Sequence, residues 1–269
     1  MTLQQQLSAL LAGKTHTVGN KVLWLEETDS TNLDCRRLAA QGESEGAVVL
    51  ARRQSAGRGR RGRSFQSTRD LGLYLSVLLR PEQDMETLSN MTAWVAVAVC
   101  DGVEAACGVR PQIKWINDII LNGKKLGGIL TELVLEPGST RPAGLIVGIG
   151  VNVAHSREDF DPGLRDMATS LALEVENLPS MAELAAQIVL ALDRMYENFP
   201  HGREEYLEQY RAGCVTTGKQ VQLITPAGRE EAWAEDIDGE FRLVVRLSDG
   251  ERRAVSAGEV SVRGMYGYV

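Results

Sequence analysis

The alternation of hydrophobic and polar residues divides the chain into a long mixed α/β segment and a shorter segment of strands alone. In the first segment, period-two patterns and short apolar runs bounded by turn residues predict seven strands. They cover residues 21–25, 47–51, 72–79, 112–116, 118–121, 125–136 and 144–154. Asn122-Gly123 lies between two of these runs and predicts a tight β-hairpin.

Patterns with helical spacing separate these strands. They predict helices over residues 3–11, 88–106, 181–199 and 204–211, and a helix ending near Gln41 whose N-cap lies within residues 29–32. The 181–199 helix begins with Ser180 and Glu183, which form a capping-box pattern. After Gly213, short runs alternate with Gly- and Asp-containing turns, which favours a small β-barrel. We therefore predict two domains, 1–213 and 214–269.

Composition places the chain among ordinary globular proteins, with 43% hydrophobic and 24% charged residues and a net charge of −7. No apolar stretch reaches the length of a membrane span, and the first residues do not resemble a secretion signal. Four scattered cysteines form no C-x-x-C pair, which predicts free thiols rather than a zinc site. The expectation is a cytoplasmic protein that does not associate with a membrane.

One segment departs from this acidic average. Between Arg52 and Arg69 there are seven arginines and no acidic residue, and Gly57 to Arg63 alternates glycine with arginine. Three interpretations compete: a solvated basic loop, an RNA-binding segment, or a loop that holds the phosphates of a nucleotide. Glycines let backbone N–H groups approach an anion and arginines add bidentate donors. Spacing alone does not choose among the three.

A second cluster favours an enzyme. Lys114-Trp115-Ile116-Asn117-Asp118 follows a predicted strand, and Lys125 comes after the hairpin turn. Because a hairpin folds back on itself, Lys114, Asp118 and Lys125 could face one cleft. Two ammonium groups for phosphate oxygens and a carboxylate for Mg²⁺ suit phosphoryl or nucleotidyl transfer. Surface lysines beside a hairpin remain an equal alternative on spacing alone.

Read together, the motifs resemble those of the bacterial biotin protein ligases. The resemblance runs from about residue 22 to the end of the chain and rests on motifs that occur in the family's order. They are Asp29-Ser30-Thr31-Asn32, Gln54, GRGRRGR at 57–63, GLYLSV at 72–77, K-W-x-N-D at 114–118, GKKLGGIL at 123–130, GIGVNV at 148–153, and the C-terminal stretches at 236–238 and 258–263.

The resemblance implies an α+β fold related to class II aminoacyl-tRNA synthetases, with a mixed, largely antiparallel sheet and a small SH3-like C-terminal domain. It also implies a two-step reaction. Biotin and Mg·ATP would give biotinyl-5′-AMP and pyrophosphate, and a lysine of a biotin carboxyl carrier domain would then displace AMP. A lipoate or octanoate ligase is the related alternative, and an RNA-binding module is the alternative of another class.

Site residues follow from the resemblance, position by position. Lys125, Arg60, Lys114 and Asp118 are the implied catalytic residues. The implied biotin contacts are Ser30, Thr31, Asn32, Gln54, Gly57, Arg58, Gly59, Arg60, Tyr74, Ser76, Lys125 and Gly128, with Tyr74 and Ser76 lining the pocket of the bicyclic ring. The implied ATP contacts are Arg58, Arg60, Arg63, Phe65, Lys114, Asn117 and Asn152, and Asp118 with Asn117 would hold Mg²⁺. Arg52, Arg53, Arg61 and Arg69 are left for solvent or for an acidic carrier domain.

Three residues depart from the family's pattern. Phe65 stands where tryptophan is common, Ile116 where proline is usual and Asp70 where glycine is common. Some relatives carry an N-terminal DNA-binding domain. The residues before the first predicted strand are too few for one, so we expect a ligase that does not bind DNA. A homodimer is possible.

Overall fold

The computed structural model describes residues 1–136, 138–139, 142–225, 228–256 and 261–264. Its helices are α1 (Leu3–Leu11), α2 (Thr31–Ala40), α3 (Met85–Leu88), α4 (Met91–Cys107), α5 (Leu171–Glu174), α6 (Met181–Asn198) and α7 (Arg203–Gly213). Its strands are β1 (Lys21–Leu25), β2 (Ala47–Ala51), β3 (Gly72–Leu79), β4 (Gln112–Lys114), β5 (Asp118–Leu121), β6 (Lys124–Leu135), β7 (Pro142–Asn152), β8 (Lys219–Thr225), β9 (Gly228–Ile237), β10 (Leu243–Leu247), β11 (Arg252–Val255) and β12 (Ser261–Gly264).

The larger sheet has the strand order β1-β2-β3-β7-β6-β5-β4. Only β1 and β2 are parallel, with α2 between them in the chain, and the other neighbouring strands are antiparallel. Every residue of β3, the neighbour of the central strand β7, is buried. Helices cover both faces, because α4 packs with α6 on one side while α2 packs on β2, β3 and β7 on the other. Apolar runs without alternation are what a doubly covered strand requires.

Helices α4 and α6 form the thickest part of the core. Helix α4 is buried over most of its length, and Gly102 lets it approach α6 closely, since a Cβ there would lie 2.6 Å from the Cα of Ile188. Ser180 and Glu183 form the predicted capping box at the start of α6. The side chain of Asp193 points from α6 to the segment after α1 and accepts backbone N–H bonds from His16, Thr17 and Val18 at 2.7–2.9 Å.

Several element boundaries differ from those predicted. The predicted strand 112–116 ends at Lys114, because residues 115–117 form a turn whose Trp115–Ile116 peptide is cis. The predicted helix 88–106 begins at Met91, since the preceding turn is a separate helix capped by Asp84. Strand β7 begins at Pro142 and ends at Asn152, whereas the prediction was 144–154. Hydrophobic periodicity identified these elements but not their ends.

A second, antiparallel sheet has the order β11-β10-β9-β8-β12. It joins the larger sheet through Trp115, whose indole N–H donates to the carbonyl of Phe241 at 2.9 Å. The fold-class prediction is confirmed: a mixed, largely antiparallel sheet with helices precedes a small β domain. The division at residue 213 stays a prediction, and residues 258–260 of the C-terminal motif lie outside the described residues. Among the described residues, no helix has the length and apolarity needed to cross a membrane.

Candidate active site

A cavity of about 490 Å³ lies where the glycine-arginine loop (residues 57–65) covers the middle of the larger sheet. Its wall brings together the loop, the start of α2, the turn after β4, the β5–β6 hairpin and the middle of β7. The sequence-predicted site residues in the wall are Ser30, Thr31, Asn32, Gln54, Arg58, Gly59, Arg60, Arg63, Phe65, Lys114, Asn117, Asp118, Lys125 and Gly128. Clusters that are far apart in the chain therefore share one cavity.

The charge of the wall is strongly one-sided. Among the described lining residues, six are basic and only Asp118 is acidic. The basic residues are Arg58, Arg60, Arg61, Arg63, Lys114 and Lys125. Such an excess of cations in a half-enclosed, partly desolvated site attracts polyanions.

The β5–β6 hairpin places Lys125 beside Asp118. A β-bulge between Ile119 and Ile120 changes the register, so that Lys125 and Gly128 face the same side of β6. The Lys125 ammonium lies 2.5 Å from Asp118 Oδ1, and a Cβ built on Gly128 would lie 3.5 Å from both groups. Lys114 is the antiparallel partner of Asp118 and is buried in the same wall. The cleft proposed from the hairpin pattern therefore exists and holds all three side chains.

The glycine-arginine loop forms a hairpin. Phe65 N–H donates to Gly57 O at 2.9 Å, Gly59 N–H donates to Arg63 O at 2.7 Å, and Arg60 to Gly62 form the turn. Arg60 Nη1 donates to Asn117 Oδ1 at 3.2 Å, which joins the loop to the K-W-x-N-D turn. Burial, and then repulsion from Arg61, lower the pKa of Arg60. An arginine nonetheless keeps its charge at neutral pH.

The first turn of α2 presents polar groups at the other end of the cavity. Ser30 is the N-cap residue and lines the cavity, and its hydroxyl makes no cap hydrogen bond to the helix. Thr31 N–H and its hydroxyl both donate to Gln54 Oε1, at 2.8 and 3.1 Å, and Gln54 Nε2 donates to Ser67 Oγ at 2.9 Å. The bonds to Thr31 occupy both lone pairs of Gln54 Oε1, so Gln54 has a single amide N–H left for a ligand.

Four predicted site residues lie behind the described wall rather than in it. Tyr74 and Ser76 were expected to line a ring pocket, but both are buried within β3. Tyr74 donates to Thr68 O at 2.8 Å, and Ser76 Oγ lies 2.7 Å from both Thr31 Oγ1 and Asn32 Oδ1. They support the lining residues from below.

The other two are Gly57 and Asn152. A Cβ at Gly57 would lie 2.4 Å from Phe65 O, so glycine is needed for the loop to close on itself. Asn152 is buried at the end of β7, and its amide donates to Thr169 O at 3.0 Å. It braces the segment after β7 instead of facing the described cavity.

Most of the chain is similar to known protein ligases. Residues 24–152 match the biotin/lipoate A/B protein ligase family and residues 216–263 match the biotin protein ligase C-terminal domain. The biotin–[acetyl-CoA-carboxylase] ligase of Paracoccus denitrificans is 43% identical over 253 residues, which cover 89% of this chain and 100% of that protein. The bifunctional ligase/repressor BirA of Bacillus spizizenii is 34% identical, over 91% of this chain and 75% of its own. The chain belongs to the biotin protein ligase family.

A solved structure extends the likeness to three dimensions. The biotin protein ligase of Aquifex aeolicus, in complex with biotin and ATP, superposes with a TM-score of 0.77 at 26% identity, covering 91% of this chain and 99% of that one. The family models match parts of both the larger sheet and the small C-terminal sheet. The structural likeness therefore extends over most of the chain.

The three departures from the family's pattern lie in different local surroundings. Phe65 lines the cavity and packs on Gly150, where a Cβ would lie 2.6 Å from its ring. Asp70 has a φ of +64°, a left-handed conformation that glycine adopts freely and that aspartate tolerates better than most residues. It also forms ion pairs with Arg52 and Arg69. Ile116 is buried in the turn after β4.

Sequence reasoning missed other residues of this biotin protein ligase site. Arg61, expected to face solvent or a carrier, lines the cavity and donates to Ile224 O of β8 at 3.4 Å. Leu164 and Met167 are partly exposed apolar residues in the wall, and Val262 of β12 also reaches it. No motif marks these positions. Glu132, which binds Arg58, could have been noticed as a charge within an apolar strand.

Proposed function

We propose that the protein is an ATP-dependent biotin protein ligase, which activates biotin as biotinyl-5′-AMP and transfers the biotinyl group to a lysine of a biotin carboxyl carrier domain. The observation that carries the proposal is the cavity wall. Its described residues combine six basic side chains and one acidic side chain with uncharged hydrogen-bonding groups at the start of α2 and at Gln54. Both substrates of the first step, a carboxylate and a triphosphate, are anions. The ureido ring of biotin is neutral and needs directional donors and acceptors.

Ser30 and Gln54 are the proposed partners of the ureido ring. The Ser30 hydroxyl is not used for capping α2, and Gln54 has one N–H beyond its bonds to the protein. Thr31 and Asn32 complete this end of the cavity, and Ser76 orients both from behind. Because Gly148 leaves room for the Asn32 amide, which a Cβ would meet at 2.0 Å, the start of α2 can sit directly on β7.

The cationic end of the cavity serves the first chemical step. A biotin carboxylate oxygen attacks the α-phosphorus of ATP, forming the acyl–phosphate bond while pyrophosphate leaves. Lys125, Arg58 and Arg60 reduce the repulsion between the two anions, and Lys114 and Arg63 bind the remaining phosphate oxygens. Cations fixed in place before the reaction stabilise the developing charge without reorganisation.

Asp118 and Asn117 are the proposed Mg²⁺ neighbours. The described residues include no group of three or more His, Cys, Asp or Glu side chains that could hold a metal alone. Mg²⁺ commonly binds one or two carboxylates together with substrate phosphates, so a single carboxylate in a nucleotide site fits that ion. When bound, the ion would neutralise phosphate charge. Asp118 also orients Lys125, and Asn117 orients Arg60.

The second step uses the same cavity with a macromolecular substrate. The carrier lysine attacks the acyl carbon, the amide bond forms, and AMP leaves. The loop covers the adenylate and limits its hydrolysis, since an acyl phosphate reacts with water. A hairpin loop that forms part of this wall also accounts for the arginine run better than an RNA-binding segment does.

Carrier biotinylation tests the function directly. The protein is incubated with biotin, ATP, Mg²⁺ and a carrier domain, and labelled carrier is detected with streptavidin. Labelling should require both ATP and the acceptor lysine, and a carrier with arginine at that lysine should stay unlabelled. Replacing biotin by lipoate tests the related acyl substrate. An intact carrier that remains unlabelled, or one modified by lipoate but not by biotin, would overturn the proposal.

A further inference from the structure

A carboxylate in the middle of β6 lies at the edge of the cavity without belonging to any recognised motif. Side chains alternate along a strand, so Gly128, Leu130 and Glu132 point to the same face of β6. Gly128 and Leu130 line the cavity, and Glu132 continues the row beyond it. Its side chain is only 15% exposed, which is unusual for a glutamate on an otherwise apolar strand.

Glu132 binds two segments that hold the substrates. Arg58 Nη1 of the glycine-arginine loop lies 3.0 Å from its Oε1. Asn32 Nδ2, at the start of α2, donates to its Oε2 at 2.8 Å, and Arg36 on the next turn of α2 approaches at 3.5 Å. One carboxylate thus holds the Arg58 side of the loop to the helix that faces biotin. Hydrogen bonds of this kind are stronger than neutral ones because one partner or both are charged.

The other end of the same loop is bound to the same helix turn. Phe65 O accepts from Ser67 Oγ at 3.1 Å, Ser67 Oγ accepts from Gln54 Nε2, and Gln54 Oε1 accepts from Thr31. Adjacent residues Thr31 and Asn32 therefore connect to the two ends of the loop by separate routes. On the Phe65 route the connection is neutral, whereas on the Arg58 route it depends on Glu132.

We propose that Glu132 is a positioning residue for the ligase reaction, which holds Arg58 and Asn32 in register so that the biotin end of the cavity and the glycine-arginine loop are ordered together. The proposal rests on the proposed function. Glu132 acts through the two residues that it orients, so its removal should weaken biotin binding and loosen the loop while the cations at the Lys125 end remain in place.

The test compares Glu132→Gln with Glu26→Gln. Glu26 is a matched control, since it binds Arg52 and Arg69 of the same arginine segment but lies outside the cavity. Glu132→Gln should raise the KM for biotin in pyrophosphate release by about tenfold, the loss expected for a charge-assisted hydrogen bond. It should also speed trypsin cleavage within residues 57–65 in the absence of substrates. Glu26→Gln should change neither.

A double-mutant cycle separates positioning from a general loss of stability. If Glu132 acts through Arg58, the change in KM caused by Glu132→Gln should be much smaller in an Arg58→Gln background. Additive effects, or a Glu132→Gln protein that matches Glu26→Gln in KM and cleavage, would overturn the proposal. If Glu132→Gln does not fold, Glu132→Asp is the second variant, because it keeps the charge on a side chain shorter by one methylene. A wild-type KM for biotin together with a wild-type rate of trypsin cleavage in Glu132→Asp would also contradict the proposal. Wild-type protein that releases no pyrophosphate with biotin and ATP would contradict the function itself.

Discussion

The arginine segment consists of an outer region, Arg52, Arg53 and Arg69, and an inner region, from Arg58 to Arg63. The outer arginines pair with exposed carboxylates, whereas the inner arginines line the cavity. In the outer region, Arg52 pairs with Glu26 at 3.0 Å, Arg53 with Glu27 at 3.4 Å and Arg69 with Glu26 at 3.3 Å. The three arginine side chains are between a third and a half exposed. Exposed pairs of this kind contribute little to stability, because water and salt screen them.

In the inner region, the arginines from Arg58 to Arg63 line a cavity that is poor in acidic groups. Arg58 binds Glu132 at its edge, and Arg60 donates to the uncharged amide of Asn117. A run of arginines therefore does not define a binding site by its composition alone. What distinguishes the inner region is the small number of carboxylates facing it, which leaves positive potential for a ligand.

The largest expected effect is at the lysine that completes the inner region. Lys125→Ala should lower the rate of biotin-dependent pyrophosphate release by about two to three orders of magnitude, since a preorganised cation for the reacting oxygens is lost. The neighbouring variant Lys124→Ala should retain the wild-type rate. A rate for Lys125→Ala within a few-fold of wild type would show that the inner region does not act through this ammonium.

A smaller effect is expected where the loop meets the K-W-x-N-D turn. Arg60→Gly removes the bond to Asn117, so the loop should retain biotinyl-AMP about tenfold less well, the value of one charge-assisted contact. Arg53→Gly, which alters the outer region, should retain it normally. Rapid gel filtration of enzyme loaded with radiolabelled biotin and ATP measures the retained fraction. Equal retention in the two variants would remove the distinction between inner and outer arginines.

The sequence predicts most of the fold because buried strands and amphipathic helices have clear periodicities. Strands β1, β2, β3 and β5 have their predicted limits, and so does α1. The ends of other elements depend on contacts that periodicity does not encode. Helix α4, for example, starts after a separate capped turn, and the turn at Trp115 shortens β4.

The candidate site is predictable only where a motif marks it. Lys125 reaches Asp118 because a bulge turns it to that face of β6, and no local pattern announces the bulge. Tyr74 and Ser76 belong to a recognised motif yet lie behind the cavity wall. The sequence could not predict this, since alternation along a strand does not show which face of the sheet a ligand contacts. Glu132 and Arg61 act across long sequence separations, which only the folded chain reveals.

At Asp70, which pairs with two arginines of the outer region, the effect of backbone conformation on stability can be separated from the effect of charge. Asp70 carries both a left-handed φ of +64° and ion pairs with Arg52 and Arg69. Asp70→Gly loses the pairs but suits the conformation, whereas Asp70→Ala loses the pairs and keeps the strain. Urea unfolding should therefore find the Ala variant less stable than the Gly variant by about 1 kcal/mol. Biotin-dependent pyrophosphate release should be unchanged in both, and a marked loss would place Asp70 in the inner region.

The smallest expected effect concerns Asp29, which precedes the cavity-lining Ser30 and, like the outer arginines, forms an exposed ion pair. Its hydrogen bonds with Arg37 lower its pKa to about 2, below the ordinary value of 3.8. A lowered pKa means that the charged form favours folding, so the contribution is complete above about pH 4 and disappears as the pH falls towards 2. Because the side chains are 39% and 53% exposed, screening keeps it below about 1 kcal/mol.

Urea unfolding of wild type and Asp29→Asn at a series of pH values measures this contribution as a difference. The variant should be slightly less stable at pH 6, and the difference should shrink as the pH falls below 4. A difference that is large or that persists at low pH would mean that Asp29 supports the fold through its shape and backbone bonds to Ser30 rather than its charge. In that case Asp29 would belong with the groups around the inner cavity and not with the screened outer ion pairs.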